Sequence, residues 1–255
     1  MYYALQIGCF LLAFSPPLAL SYIVLGPRPV LVALAIIAAG FWVLSALSTG
    51  LAWSFLGGRP AAPSLLRASL VGTVLQECAR AAVVVSYRRM EATLSRRKLF
   101  PLNDLSSSLA CGVGFGAMHS LVFYGSVLAA SLNPNAALFA SSCSRVPLIA
   151  VSGSCAVAAL AVFRIPTFLF LKFRLFASSA VTALLFFLLD VVLMVLAFRH
   201  AQHGVAPTAA VVLSAHLLAS LTTSLNQMPE GCAVALPALL AAVGASSWAV
   251  RAMVR

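Results

Sequence analysis

Gly112-Val113-Gly114-Phe115-Gly116-Ala117-Met118-His119-Ser120 sits inside an apolar segment that runs from about Leu105 to Leu132. Gly112 and Gly116 are four apart, and Ser108 and Ser120 extend the series by one step each way. Residues four apart share one stripe of a helix. The segment is therefore expected to be a helix with a groove of small residues, Ser108, Gly112, Gly116 and Ser120, into which another helix backbone can settle. In a bilayer, where no hydrophobic drive brings helices together, close backbone packing of this kind replaces it. His119 follows Gly112 by seven residues and emerges on nearly the same face. A small-residue series also arises by composition alone in a membrane chain rich in Ala, Ser and Gly.

Working outward, composition supports a membrane solvent. The 255 residues are 62% hydrophobic and 8% charged, with a mean hydropathy of +1.06. A soluble domain is about half apolar and a quarter charged. The fold class expected is all-α: a polytopic membrane helix bundle forming one transmembrane domain over residues 1–255. The net charge of +11 does not point to nucleic acid. The basic residues fall mostly between apolar runs, where they set topology and meet anionic lipid headgroups. No basic n-region precedes the first apolar run, so no signal peptide is expected. There is no N-x-S/T acceptor and no C-x-x-C. Cys9, Cys78, Cys111 and Cys232 read as plain thiols within or beside apolar runs. Cys143 and Cys155 share a loop region and are candidates for a pair.

A span needs about 20 apolar residues. Seven are read: about Tyr2 to Leu25, kinked or broken near Pro16-Pro17; Val30 to Leu56; Leu65 to Tyr87; Leu105 to Leu132; Phe176 to Phe198; Thr208 to Leu225; and Cys232 to Val250. A charged loop from Arg88 to Asp104 joins the third and fourth. Pro147 to Phe163 is apolar but short, and is read three ways: re-entrant, interfacial or an eighth span. With seven spans, nine basic residues face the cytoplasm and six the outside. Eight spans give the same count. The absence of Lys or Arg before the first span, with Arg28 after it, puts the N-terminus outside, lumenal or extracellular. Seven crossings then leave the C-terminus cytoplasmic.

The informative residues are the polar ones inside the spans. Gln76, Glu77 and Arg80 lie in the middle of the third. A charge at that depth costs about 2.5–3.5 kcal/mol on insertion scales and is usually paired or functional. Glu77 and Arg80 are three apart and can pair along the helix. Asp190 and His216 have only apolar neighbours in sequence, on consecutive spans. Each is about eight residues, or some 12 Å, from the cytoplasmic end. They are expected to meet, directly or through one water, beside a polar cavity. Gln76, Glu77, Arg80, His119, Asp190 and His216 thus form a candidate intramembrane polar cluster. No metal set, catalytic set or cofactor is expected.

In order along the chain, these residues resemble the anterior-pharynx-defective family, the seven-span scaffold subunit of gamma-secretase. Ala13-Phe14-Ser15-Pro16-Pro17-Leu18-Ala19-Leu20 resembles its first-span A-F-G-P motif, and Phe41-Trp42-Val43-Leu44-Ser45 with Trp53 its second span. Leu75-Gln76-Glu77 and Arg80 are similar to its L-Q-E-x-x-R. Gly112, Phe115 and Gly116 are similar to its G-x-x-F-G, whose third glycine falls at Ser120. Ser214-Ala215-His216-Leu217-Leu218 with Ser220 resembles its sixth-span histidine motif, and Leu225-Asn226 follows. Two departures stand out. Asp190 occupies the place of the family's fifth-span histidine, and roughly Ala136 to Ile165 is an insertion on the outer side.

The resemblance implies a non-catalytic scaffold that binds and stabilises presenilin and nicastrin, alongside the presenilin enhancer subunit. The proteolytic aspartates would be presenilin's. It also implies residence in the endoplasmic reticulum, Golgi and plasma membrane, and a part in protein processing such as Notch signalling. More distantly the chain is similar to glutamate-type intramembrane proteases of prenylated proteins, which gives an alternative: a hydrolase using Glu77, His119 and His216. Against it, Gln76 stands where the first acid of an E-E-x-x-x-R motif belongs, and Arg80 is one residue too close. A small transporter finds no support in repeated broken helices.

Overall fold

The computed structural model describes residues 2–26, 28–55, 62–96, 103–132, 168–203, 206–224 and 231–254. Among these the chain is all helical. The elements are α1 (Tyr2–Leu25), α2 (Pro29–Phe55), α3 (Ala62–Arg96), α4 (Asp104–Leu132), α5 (Phe168–His203), α6 (Ala206–Ser224) and α7 (Gly231–Val254). Six carry a stretch long and apolar enough to cross a membrane; the apolar part of α6, Ala209–Thr223, is shorter. The insertion from about Ala136 to Ile165, with Cys143, Cys155 and Pro147 to Phe163, lies outside the described residues.

Two expectations about the helices change. α1 runs unbroken through Pro16-Pro17. A proline ring removes a backbone donor, and Ser15 and Ser21 add side-chain bonds beside the gap: Ser15 Oγ donates to the Leu11 carbonyl and Ser21 Oγ to that of Pro17. The segment after Tyr87 is not a loop from Arg88 onward, because α3 continues to Arg96. Arg88 explains this. It donates to Glu91 three residues on and, with both terminal nitrogens, to Asp104 in the first turn of α4. Tyr87 donates its hydroxyl to the same carboxylate.

α4 and α5 form the centre of the bundle and pack on each other more extensively than any other pair. α1 and α2 cover α4; α6 and α7 cover α5; α3 lies along α2 and α6 and also touches α5. The inward stripe of α2 is Leu31, Leu34, Ala38 and Trp42, and with Val83, Tyr87, Phe115, Met194 and Phe198 it makes one core cluster. A second, on the other side of α5, joins Leu185, Leu189, Leu193 and Leu196 to Val212, Ala219 and Leu239. The outer faces are apolar too, with Ile36, Leu44, Leu47 and Leu51 exposed along α2, as a lipid-facing surface requires.

The small-residue series explains the tight α4–α5 seam. A Cβ on Gly112 would sit 2.8 Å from the Val191 Cα, and one on Gly116 2.9 Å from the Phe187 carbonyl oxygen. Ser120 Oγ donates to the Ala183 carbonyl at 2.8 Å. Each step of four forward on α4 is four backward on α5, so the helices are antiparallel with their backbones in near contact. Ser108, at the end of the series, is buried and donates to Leu105 of its own helix. The neighbour held by the groove is this chain's own α5. Gly114, facing the other way, does the same for α2: a Cβ there would fall on the Ala35 carbonyl.

Candidate functional site

With α4 and α5 at this separation, the polar residues of four helices converge in one buried chain of bonds. Arg80, on α3, is its hub. Its Nε lies 3.1 Å from Glu77 Oε2 and 3.2 Å from Oε1, within the same helix. Its Nη2 donates to Asp190 Oδ1 at 2.7 Å, and its Nη1 to the Asp190 backbone carbonyl at 3.0 Å. The guanidinium also lies over the Phe115 ring, 4.7 Å from its centroid. A planar fork with five donors can serve two carboxylates at once, which an ammonium cannot do with the same rigidity.

Each carboxylate then takes one histidine. His119 Nδ1, on α4, lies 2.7 Å from Asp190 Oδ2. His216 Nδ1, on α6, lies 2.5 Å from Glu77 Oε1. Against a carboxylate oxygen, each ring nitrogen must carry the hydrogen and donate. The chain reads His216–Glu77–Arg80–Asp190–His119. Arg80, Asp190 and His216 are each 1% exposed and His119 is 3% exposed, so solvent screens the Asp190 contacts little; the Glu77 side chain is 13% exposed. The His119 ring packs on Trp42, stacked at 5.1 Å, and on Phe186, tilted at 4.9 Å.

Five of the six residues expected to cluster are therefore linked, but not in the expected order. Asp190 and His216 do not bond to each other; Glu77 and Arg80 stand between them. Depth along a helix fixes the level of a side chain but not which neighbour it faces. α6 packs along α3, so His216 meets Glu77, while Asp190 looks toward α3 and α4. Gln76 is buried, yet the chain of bonds passes it by, since it lies a third of a turn around α3 from Glu77. Trp42, Phe115 and Phe186 shape the site; Trp42 and Phe115 lie in motifs that carry the resemblance, while Phe186 carries no signal in the sequence beyond being apolar.

Glu77 and Arg80 also line a cavity of about 290 Å³ between α3, α5 and α6, walled by Val84, Val85, Ala197, Val212 and Leu213 and reaching His200. Cys9, Cys78 and Cys111 are free thiols, as read from the sequence. Among the described residues, no group of three or more His, Cys, Asp or Glu side chains is placed to hold a metal ion. Arg80 thus joins the two carboxylates, and each carboxylate takes one imidazole.

The chain was compared with known proteins. A sequence profile of the Aph-1 protein family matches residues 4–171 and 169–255. The gamma-secretase subunit APH1-like of Arabidopsis thaliana is 27% identical over 252 residues, covering 92% of this chain and 87% of the plant protein. The gamma-secretase subunit aph-1 of Caenorhabditis elegans is 29% identical over 136 residues, 48% of this chain and 44% of the nematode protein. The profile takes in nearly every residue, the Gln76–Arg80 and His216 motifs among them, and on that ground the chain belongs to the Aph-1 protein family.

Proposed function

We propose that the chain is a gamma-secretase subunit and, within that complex, a non-catalytic scaffold that binds and stabilises presenilin and nicastrin during assembly, with the presenilin enhancer subunit as a further partner. The observation that carries this reading is the match along almost the whole chain to a family whose plant and nematode members are named gamma-secretase subunits. The ionic chain agrees with it. Both Glu77 oxygens are engaged by Arg80, and one also by His216, so Glu77 has little capacity left to activate a water. The bundle is a multi-pass membrane protein of the endoplasmic reticulum, Golgi and plasma membrane, with its N-terminus lumenal or extracellular. The test is co-purification of the tagged full chain from native membranes under mild detergent. Presenilin, nicastrin and the enhancer subunit are expected in the eluate; a folded, monodisperse chain that retains none of them would refute the reading.

One observation favours the hydrolase alternative: Glu77 lines the 290 Å³ cavity. His119, which that reading needs beside Glu77, is at the far end of the ionic chain and packed on two aromatic rings. Cleavage of a prenylated peptide by the purified chain, abolished in Glu77→Gln, would establish the alternative.

A further inference from the structure

The buried cluster contains one cation too few. Glu77 and Asp190 carry two negative charges and Arg80 one positive. Among the described residues no further Asp, Glu, Lys or Arg joins the cluster, and His200 stands on the cavity that Glu77 and Arg80 line. α1 and α2 contain no Asp, Glu, Lys, Arg or His; α4 has Asp104 in its first turn and then His119; α6 has His216; and the charge on α7 is Arg251, in its last turn. On α3 and α5 the other charged residues lie toward the ends. An uncompensated charge in a water-excluded interior is costly enough that such groups exchange protons to remove it. We infer that the cluster is a proton-binding site: it takes up one proton, shared along the chain of bonds and held on either imidazole, and is neutral only when that proton is bound.

Three features of the geometry support this. Both candidate carriers already donate through Nδ1 to a carboxylate, so an added proton at either ring strengthens an existing contact into a charge-assisted one. The His119 ring has two aromatic neighbours, Trp42 and Phe186, and aromatic rings favour a nearby cation. The cavity that Glu77 and Arg80 line also reaches His200, a titratable side chain near the end of α5. Two histidines for one missing charge also make the site redundant, so the loss of either ring leaves a carrier.

Redundancy sets the test, which uses the purified full chain in nanodiscs and does not depend on any partner. His119→Gln and His216→Gln each keep a hydrogen-bonding side chain, and each is expected to give a modest loss of folded protein after a heat challenge. The double variant should lose about tenfold more than the product of the two, within the range that residues of one hydrogen-bond network reach. Adding Asp190→Asn to the double variant removes the unmatched charge and should restore most of the loss. Infrared spectroscopy reads the proton directly: wild type should show no protonated-carboxyl band, and the double variant should gain one as the proton moves to a carboxylate. If the double variant cannot be purified, its membrane expression against the triple variant gives the same comparison. Additive losses with no rescue by Asp190→Asn, or a protonated-carboxyl band in wild type, would overturn the inference.

Discussion

Arg80 decides the order of severity among substitutions at the ionic chain. Its guanidinium serves Glu77 through Nε and Asp190 through both terminal nitrogens, while 1% exposed. Arg80→Ala strands the fully buried Asp190 and the largely buried Glu77. Breaking a buried pair by removing one partner costs about 3–5 kcal/mol. Glu77→Gln leaves Arg80 balanced by Asp190, and the amide oxygen can still accept from Nε. Arg80→Ala is therefore expected to be the more damaging of the two by at least about 1.5 kcal/mol, because only it leaves charges unpaired. Thermal unfolding of the purified variants in one detergent compares them; equal losses would mean that Asp190 is satisfied without Arg80.

At the scale of the helices, close approach sets what each surface tolerates. Gly114 meets the Ala35 carbonyl of α2, whereas Gly125, on the same helix, has nothing within 4 Å of the position a Cβ would take. Backbone cannot rotate away as a side chain can, so Gly114→Ala is expected to cost about 1–3 kcal/mol by overpacking. Gly125→Ala should stay within about 0.5 kcal/mol of wild type, as surface changes do. The same unfolding measurement distinguishes them. The extension of α3 beyond Tyr87 offers a second test. It is tied to α4 through Arg88 and Asp104, whose side chains are 28% and 24% exposed. Such a pair contributes about 1 kcal/mol at most, but it controls local opening. Asp104→Ala should speed tryptic cleavage after Arg88 and Arg89 several-fold while leaving global unfolding almost unchanged.

These cases also show what the sequence could convey. Apolar runs located all seven helices to within a few residues at most ends, because membrane spans are written as uninterrupted hydrophobic length. The α3 extension was not legible, since its stabilising partner, Asp104, lies beyond a polar stretch that reads as loop. Within the site, Glu77 and Arg80 could be paired because three residues on a helix is a fixed geometry. Asp190 and His216 could be placed at one depth, but their partners depend on how α5 and α6 are rotated and on what they pack against. That information resides in the small-residue seam, where Gly112 and Gly116 against Val191 and Phe187 fix the rotation of α5, and no local pattern around Asp190 states it.

At the scale of the whole molecule, α6 decides the topology. It has 19 residues, and its apolar part, Ala209–Thr223, falls short of a full span. The ionic chain nevertheless fixes its depth. His216 is the midpoint of Ala209–Thr223, and it bonds to Glu77, about one turn from the midpoint of the α3 span Ser69–Thr93. α6 is thus centred at the level where α3 is centred. Nineteen helical residues measure about 28 Å, close to the roughly 30 Å of a bilayer's hydrocarbon core. A helix of that length, centred at mid-depth and packed along α3, is expected to cross. With seven crossings the termini lie on opposite sides, and the basic run Arg88, Arg89 and Arg96 at the end of α3 is expected to put that end in the cytoplasm. The chain has no N-x-S/T acceptor, so glycosylation mapping starts from a silent background. A spaced acceptor tag at the N-terminus should be glycosylated in microsomes, and the same tag at the C-terminus should not. Modification of both tags, or of neither, would mean an even number of crossings: either α6 leaves the spanning set, together with the depth argument that His216 supplies, or Pro147 to Phe163 adds an eighth span.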